Sequence, residues 1–425
     1  MSWIRKLTQT MAGTMAGTVF STTGSSASVN ISSVRSRGGV YAVATSQGGF
    51  VSVNGSNVES DGSVFIAADS RGTIVINGSS VGAVVAAAKF SSKKHGSADV
   101  AGPVSLRVAT TGDITAQRHG ADTDAVAVTA TIHATTQARA DKAVLVVDNV
   151  GDGVAVRVEW PNGEAEPTET ADIVVLCPSA TKSVELGGVV GDVHCEDLGG
   201  DCTVNTTSGN IVIKRHTGAV TATSTSGDIE ADVIGGSLNA QSMSGNVFVS
   251  KVQGAAKVET MSGCARLTDV QGEVVATTMS GLASVMNTGG SCVARTMSGG
   301  VVGRRIGGTF AAKTSSGDIT AFGVEGKFSA QSMSGDITGN DLDGPVDVHT
   351  VCGHAEAKLS DKSPGPVHMQ TDSGDVVLHV GSGFKGTVQP STSTGNVDVR
   401  DLQSSEGPVS AVQTTTGNIR IRGTQ

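Results

Sequence analysis

The stretch Ser242-Met243-Ser244-Gly245-Asn246-Val247-Phe248-Val249-Ser250-Lys251-Val252-Gln253-Gly254-Ala255-Ala256-Lys257-Val258-Glu259-Thr260-Met261-Ser262-Gly263 carries the rule that organises the chain. Glycine returns every nine residues (Gly245, Gly254, Gly263). Counted from Gly245, apolar residues fall at +2, +4 and +7 (Val247, Val249, Val252), then at +11, +13 and +16 (Ala256, Val258, Met261). A step of two is a strand with one face turned inward, and the step of three that follows is a corner. Nine residues are too few for a strand plus a crossover helix, so a βαβ unit is excluded. Stacked coils remain, each burying its apolar face only against its neighbours.

Outward from this coil the spacing holds. Glycine stands at every ninth position from Gly191 to Gly353 without a break, and alternate glycines carry a stronger motif such as Thr-Met-Ser-Gly or Ser-Met-Ser-Gly-Asp-Ile. The repeat is therefore 18 residues, built from two similar nine-residue halves. Beyond Gly353 the intervals to Gly374, Gly395 and Gly417 lengthen to 21, 21 and 22 residues. The added Ser363-Pro364-Gly365-Pro366 reads as a longer surface turn. The expected fold class is all-β: a single-chain β-solenoid over residues 181–425, wound right-handed as parallel crossovers generally are. About thirteen coils at about 4.8 Å give a rod roughly 60 Å long.

In such a stack like residues lie on like. Three residues before each strong glycine runs a hydroxyl column: Thr206, Ser224, Ser242, Thr260, Thr278, Thr296, Thr314, Ser332, Thr350, Thr371, Thr392 and Thr414. At +16 stand Met243, Met261, Met279, Met297 and Met333, half of the 10 methionines. The nine-residue pseudo-symmetry maps this column onto the apolar +7 column, so the methionines are expected to point into the core. Strict strand alternation from +13 gives the opposite arrangement, with buried hydroxyls and an outward apolar stripe that would bind a partner. Asp or Asn often follows the strong glycine (Asp228, Asn246, Asp318, Asp336), where it is expected to bond turn backbone locally.

These Ser/Thr-x-Ser-Gly-Asp/Asn-Ile/Val motifs at 18 to 22 residue spacing resemble the putative-adhesin family of β-strand repeat proteins, a domain of unknown function. The run Ala171-Asp172-Ile173-Val174-Val175-Leu176-Cys177-Pro178 resembles that family's lead-in strand, and Val104 to Ile114 resembles its opening strand pair. The resemblance covers roughly residues 100–425. It implies a β-solenoid and brings no catalytic residues.

The remaining chain divides by composition. Within residues 1–26, Trp3, Ile4, Leu7, Met11 and Met15 fall on one helical face beside Arg5 and Lys6, and no acidic residue precedes Glu59. That pattern is expected of a mitochondrial-type transit peptide; a disordered terminus on a cytoplasmic protein is the alternative. Residues 27–99 alternate weakly and read as a β-rich extension, with Ser91 to Gly96 as an exposed loop. Residues 100–180 hold longer strands (Ala125–Val128, Ala143–Val147, Val154–Val158) and read as a β cap that covers the open strand edge of the solenoid.

Composition narrows function by exclusion. A net charge of −9 argues against nucleic-acid binding, and 3% aromatic residues leave little to stack on sugars or bases. No run of 18 apolar residues exists, so no transmembrane helix is expected. The glycine period lacks the Gly-Gly-x-Gly-x-Asp pattern of calcium-binding β-rolls, so Asp318 and Asp336 read as solvated turn residues. His349, Cys352 and His354 sit within six residues but have no second cluster to complete a zinc site. The nine histidines share no phase that would build a nucleophile–base pair, so no catalytic, cofactor or metal residue is assigned. Cys195, Cys202 and Cys292 fall at inward positions as small apolar residues, and reduced thiols suit the inside of a cell or organelle. The expected protein is a non-catalytic structural or protein-interaction solenoid, an organellar scaffold or binding surface with unidentified protein partners. A surface adhesin or carbohydrate-binding protein is the first alternative, and a carbohydrate-active β-helix enzyme the second.

Overall fold

A computed structural model describes nine short strands between Thr18 and Val81, then residues 90–100, 102–119, 125–151, 153–402 and 407–423. The helical face expected around Trp3 to Met15 lies outside these residues. The chain forms two compact units. One comprises residues 1–92, 132–143 and 160–170, and the other residues 93–131, 144–159 and 171–425.

In the second unit the repeat becomes two long sheets of 17 and 16 strands, and successive strands of the coil alternate between them. From Val193 to Cys352 neighbouring strands are parallel and offset by 18 residues: Val247 lies opposite Ala265 in one sheet, and Val258 opposite Ala276 in the other. Beyond Val380 the order departs from the chain: Val409–Thr416 lies between Val367–Ser373 and Thr387–Thr394, and Ile419–Gly423 between Val376–Val380 and Val397–Arg400. Strands inside each sheet are paired on both edges, so long-range pairing rather than local propensity fixes the register. The core is the single layer between the sheets. Val247, Val258, Ile229 and Ile319 are wholly buried there. Phe310 and Phe328 stack with ring centroids 5.9 Å apart. Space for these rings comes from the opposite sheet, where a Cβ on Gly303 would lie 2.4 Å from the Phe310 ring, and one on Gly339 2.9 Å from Phe328.

The corners explain the unbroken glycine period. A Cβ on Gly281, whose φ is 145°, would lie 2.0 Å from the carbonyl oxygen of Gly263 in the coil before. No side chain fits where one backbone rests on another.

The two halves of the repeat are not equivalent, and this reverses the expected direction of the methionines. In Val247–Val252 the +6 residue Lys251 has φ of 53°, a left-handed kink that turns Val252 inward after a step of three. The same kink recurs at Asp197, Arg215, Val233, Asp269, Asn287, Arg305, Gly323 and Asp341. The strand Ala256–Ser262 has no such kink, so alternation runs on and places Thr260 inward and Met261 outward. Met243, Met261, Met279, Met297 and Met333 are 44–63% exposed, whereas Thr278, Thr314 and Thr350 are buried. A buried hydroxyl is tolerated because a partner is fixed beside it. Thr260 Oγ1 donates to the Gly245 carbonyl at 3.0 Å, Thr314 to Gly299 at 3.1 Å and Thr350 to Gly335 at 3.1 Å.

The lead-in strands follow the expected positions: Val104–Thr110, Ile114–Arg118, Ala125–Ala134, Val144–Val150, Gly153–Glu159 and Thr170–Cys177. The segment read as a loop, Ser91 to Gly96, instead lies within the strand Phe90–Asp99, with alternating exposure. Polar composition reads as a loop, but this strand ends a sheet and keeps one face in solvent. In the first unit, helix Gln137–Lys142 is capped by Thr136, whose hydroxyl accepts the Arg139 N–H at 3.3 Å. Arg139 grips the buried Glu169 carboxylate through two 2.7 Å bonds, and chiefly this pairing holds that carboxyl at about 2. The stabilisation from the pair is complete above the ordinary carboxylate range and is lost as pH falls toward 2.

Substitutions at two positions test the buried face and the kink. Ile319→Asp buries a charge in the one-layer core and should unfold the rod, whereas Ile319→Val should cost about 1 kcal/mol in thermal melting. Val233 is the one β-branched residue among the left-handed kinks. Val233→Asn should therefore raise stability by about 1 kcal/mol, read as a higher denaturation midpoint. An unchanged or lower midpoint would contradict the kink.

Candidate functional site

The left-handed kinks do more than turn a side chain inward. They fold one edge of each coil into a notch, and stacking aligns the notches into a groove along the rod. One stretch is lined by Arg118, Arg215, Lys251, Gln253, Asp269 and Gln271. The next shares Asp269 and Gln271 and continues through Arg305, Glu325, Asp341, Asp343, Asp361 and Lys362. The +8 position of the notch is Gly235, Gly289 and Gly307 in some coils and Gln253, Gln271, Glu325 and Asp343 in others.

Charge divides the groove. In the first stretch Arg215 is held by Asp197 and Glu196, with the Asp197 bonds at 2.6 and 2.8 Å. That pairing raises the Arg215 guanidinium further above its ordinary range and lowers Asp197. In the second stretch the carboxylates of Asp269, Glu325, Asp341, Asp343 and Asp361 face two cations, Arg305 and Lys362. Lys362 reaches only Asp343, at 3.4 Å. No lining residue of either stretch is aromatic. Sequence reading missed this groove. Its signal was the run of Asp, Asn and Gly at +6 (Asp197, Asp269, Asn287, Gly323, Asp341), residue types that tolerate the left-handed conformation.

The residues weighed for chemistry are placed as follows. Asp318 and Asp336 are links in a ladder that runs from coil to coil. Asp318 Oδ1 accepts the Asp336 N–H at 2.9 Å, and Asp336 Oδ1 accepts the His354 N–H at 2.7 Å. His354 Nδ1 in turn accepts the Asp375 N–H at 3.0 Å. The expected local turn bond is thus a bond to the next coil, because an 18-residue period places identical corners one above another. His349 and the exposed Cys352 lie on the strand Val346–Cys352, just before that ladder. His216 occupies the inward +7 position. Its Nε2–H donates to the Gly200 carbonyl at 2.7 Å, and burial lowers its pKa. Cys177, Cys195, Cys202 and Cys292 are buried free thiols. Burial pushes Cys177 and Cys292 up to about 12, and a hydrogen bond with Cys202 together with burial drives Cys195 well upward. Such thiols are inert packing groups. The exposed thioethers of Met243, Met261, Met279 and Met297 form another surface column that repeats over four consecutive coils.

Among the described residues no helix is long and apolar enough to cross a membrane. No curated protein matches the chain. Among solved structures, a putative adhesin from Bacteroides fragilis is similar at 12% identity over 78% of this chain and 97% of its own, with a TM-score of 0.21. One from Parabacteroides merdae matches at 9% identity over 80% and 98%, with a TM-score of 0.23. A putative lipid binding protein from Parabacteroides distasonis matches at 11% identity over 78% and 97%, also at 0.23. The Toastrack DUF4097 family matches residues 105–301 and 309–422, which takes in the opening strand pair and nearly every coil of the solenoid. The chain belongs to the Toastrack DUF4097 family.

Proposed function

We propose that this chain is a non-catalytic binding rod, resident in the mitochondrion, whose acidic groove receives an extended basic segment of a partner protein. The observation that carries the reading is the charge of the second groove stretch, where five carboxylates meet two cations. From Asp269 to Asp361 it crosses five coil steps, or about 24 Å at the strand spacing, the length of some seven extended residues. A linear notch suits a linear ligand, and carboxylates in excess of cations select a basic one. The lack of aromatic lining speaks against a sugar platform, and with it against the carbohydrate-active alternative. The residence rests on the basic, acid-free composition before Glu59.

The test is a pull-down from fractionated cells with the full chain and with a Glu325→Gln/Asp341→Asn variant. Both changes remove charge while keeping shape, and Asn retains tolerance for the left-handed backbone at 341. The wild-type chain should retain a mitochondrial partner, and binding should weaken at least tenfold in the variant and fall steeply with salt. A partner retained equally by both proteins would remove the groove from the account. Recovery of secreted or cell-surface partners would favour the adhesin reading.

A further inference from the structure

The methionine column lies away from the groove, on the outer face of the other half of each coil. Met243, Met261, Met279 and Met297 occupy it in four consecutive coils. Their strands are locked in register on both sides of the column: Ser242 opposite Thr260 and Ser244 opposite Ser262, then Thr260 opposite Thr278 and Ser262 opposite Ser280, then Thr278 opposite Thr296 and Ser280 opposite Ser298. Each side chain is 44–57% exposed, so the thioethers sit at the solvent surface rather than in the packing.

Neither fold nor solubility calls for methionine here. The same position holds Thr207, Thr225, Ser315 and Asp372 in other coils, so a polar residue satisfies the site. A strand position that needed only an apolar residue would favour Val or Ile. What methionine adds is a soft sulfur donor on a flexible stem. In-register strands lie about 4.8 Å apart. That spacing is close to twice a metal–sulfur bond of about 2.3 Å, so flexible thioethers on neighbouring strands can reach one ion between them without backbone movement. Neutral thioethers prefer soft monovalent ions of the Cu(I) type over Zn(II), Ca(II) or Mg(II). Glu259, two residues before Met261 on that strand, is paired with Lys257 at 3.0 Å, so the donors offered to the ion are the neutral thioethers themselves.

We propose that Met243, Met261, Met279 and Met297 form a thioether ladder that binds soft monovalent cations, Cu(I) or its analogue Ag(I), in the gaps between adjacent coils. With two thioethers to each ion, the four methionines bind up to two ions.

The experiment titrates the full chain with Ag(I), and anaerobically with Cu(I) against a chromophoric chelator, for wild type and a Met261→Leu/Met279→Leu variant. Leucine keeps the volume of an exposed side chain, and thermal melting verifies that the variant is folded. A Cys264→Ser/Cys352→Ser variant controls for the two thiols not buried in the core. The proposal expects affinity to fall more than tenfold in the leucine variant and to persist in the serine variant. It also expects X-ray absorption to show only sulfur neighbours, and no comparable uptake of Zn(II). Equal uptake by wild type and leucine variant, loss of binding in the serine variant, or a nitrogen and oxygen shell would each overturn it.

Discussion

Everything in this structure depends on the contact at the corner, where the backbone of one coil rests directly on the backbone of the coil before. With the Cβ position of Gly281 2.0 Å from the Gly263 carbonyl oxygen, the contact admits glycine alone. It also fixes the pitch: once corners stack atom on atom, every other residue must stack on its counterpart 18 positions away. The carbonyl used in this contact sits at the edge of the core and needs a donor. The hydroxyl three residues before the next strong glycine supplies it, as Thr260 does for Gly245. The glycine and hydroxyl columns are therefore one device, which both orders the stack and satisfies the polar backbone at its rim.

From that device the surface follows. Because the 18-residue register is kept from Gly191 to Gly335, a side chain that repeats there becomes a ladder: Asp and Asn bonding coil to coil, methionine presenting sulfur, and carboxylates in the groove. The core between the sheets is one layer of Val, Ile, Ala and a stacked Phe pair. The chemistry such a rod can offer is that of periodic surfaces, suited to linear partners or rows of ions. Because most pairings join residues only 18 positions apart, folding can proceed by adding coil to coil.

Much of this was legible in the sequence. Unbroken nine-residue glycine spacing and inward residues such as Val247, Val249 and Val258 determine a solenoid, since no other fold accommodates that period. The direction of Met261 was not legible from the period alone. The nine-residue pseudo-symmetry pointed inward, but the first half of each coil spends a residue on a left-handed kink that the second half lacks. Lys251 and Arg305 occupy the kink as readily as Asp269, so residue type marks the conformation only in part. The groove was hidden for the same reason: its lining residues are scattered at 18-residue intervals and read singly as solvated charges. The strand through Ser91 to Gly96 was hidden because a half-exposed strand at the end of a sheet needs no apolar alternation.

The most direct test of the central claim, that the hydroxyl column faces the core and the thioether column faces solvent, is thiol labelling of two neighbours. Thr260→Cys and Met261→Cys variants would be treated with a water-soluble alkylating reagent under native conditions, and the labelled peptides quantified by mass spectrometry. The account predicts rapid modification at residue 261 and protection at residue 260 until the rod is unfolded. Protection at 261 with rapid modification at 260 would contradict it and restore the pseudo-symmetric coil.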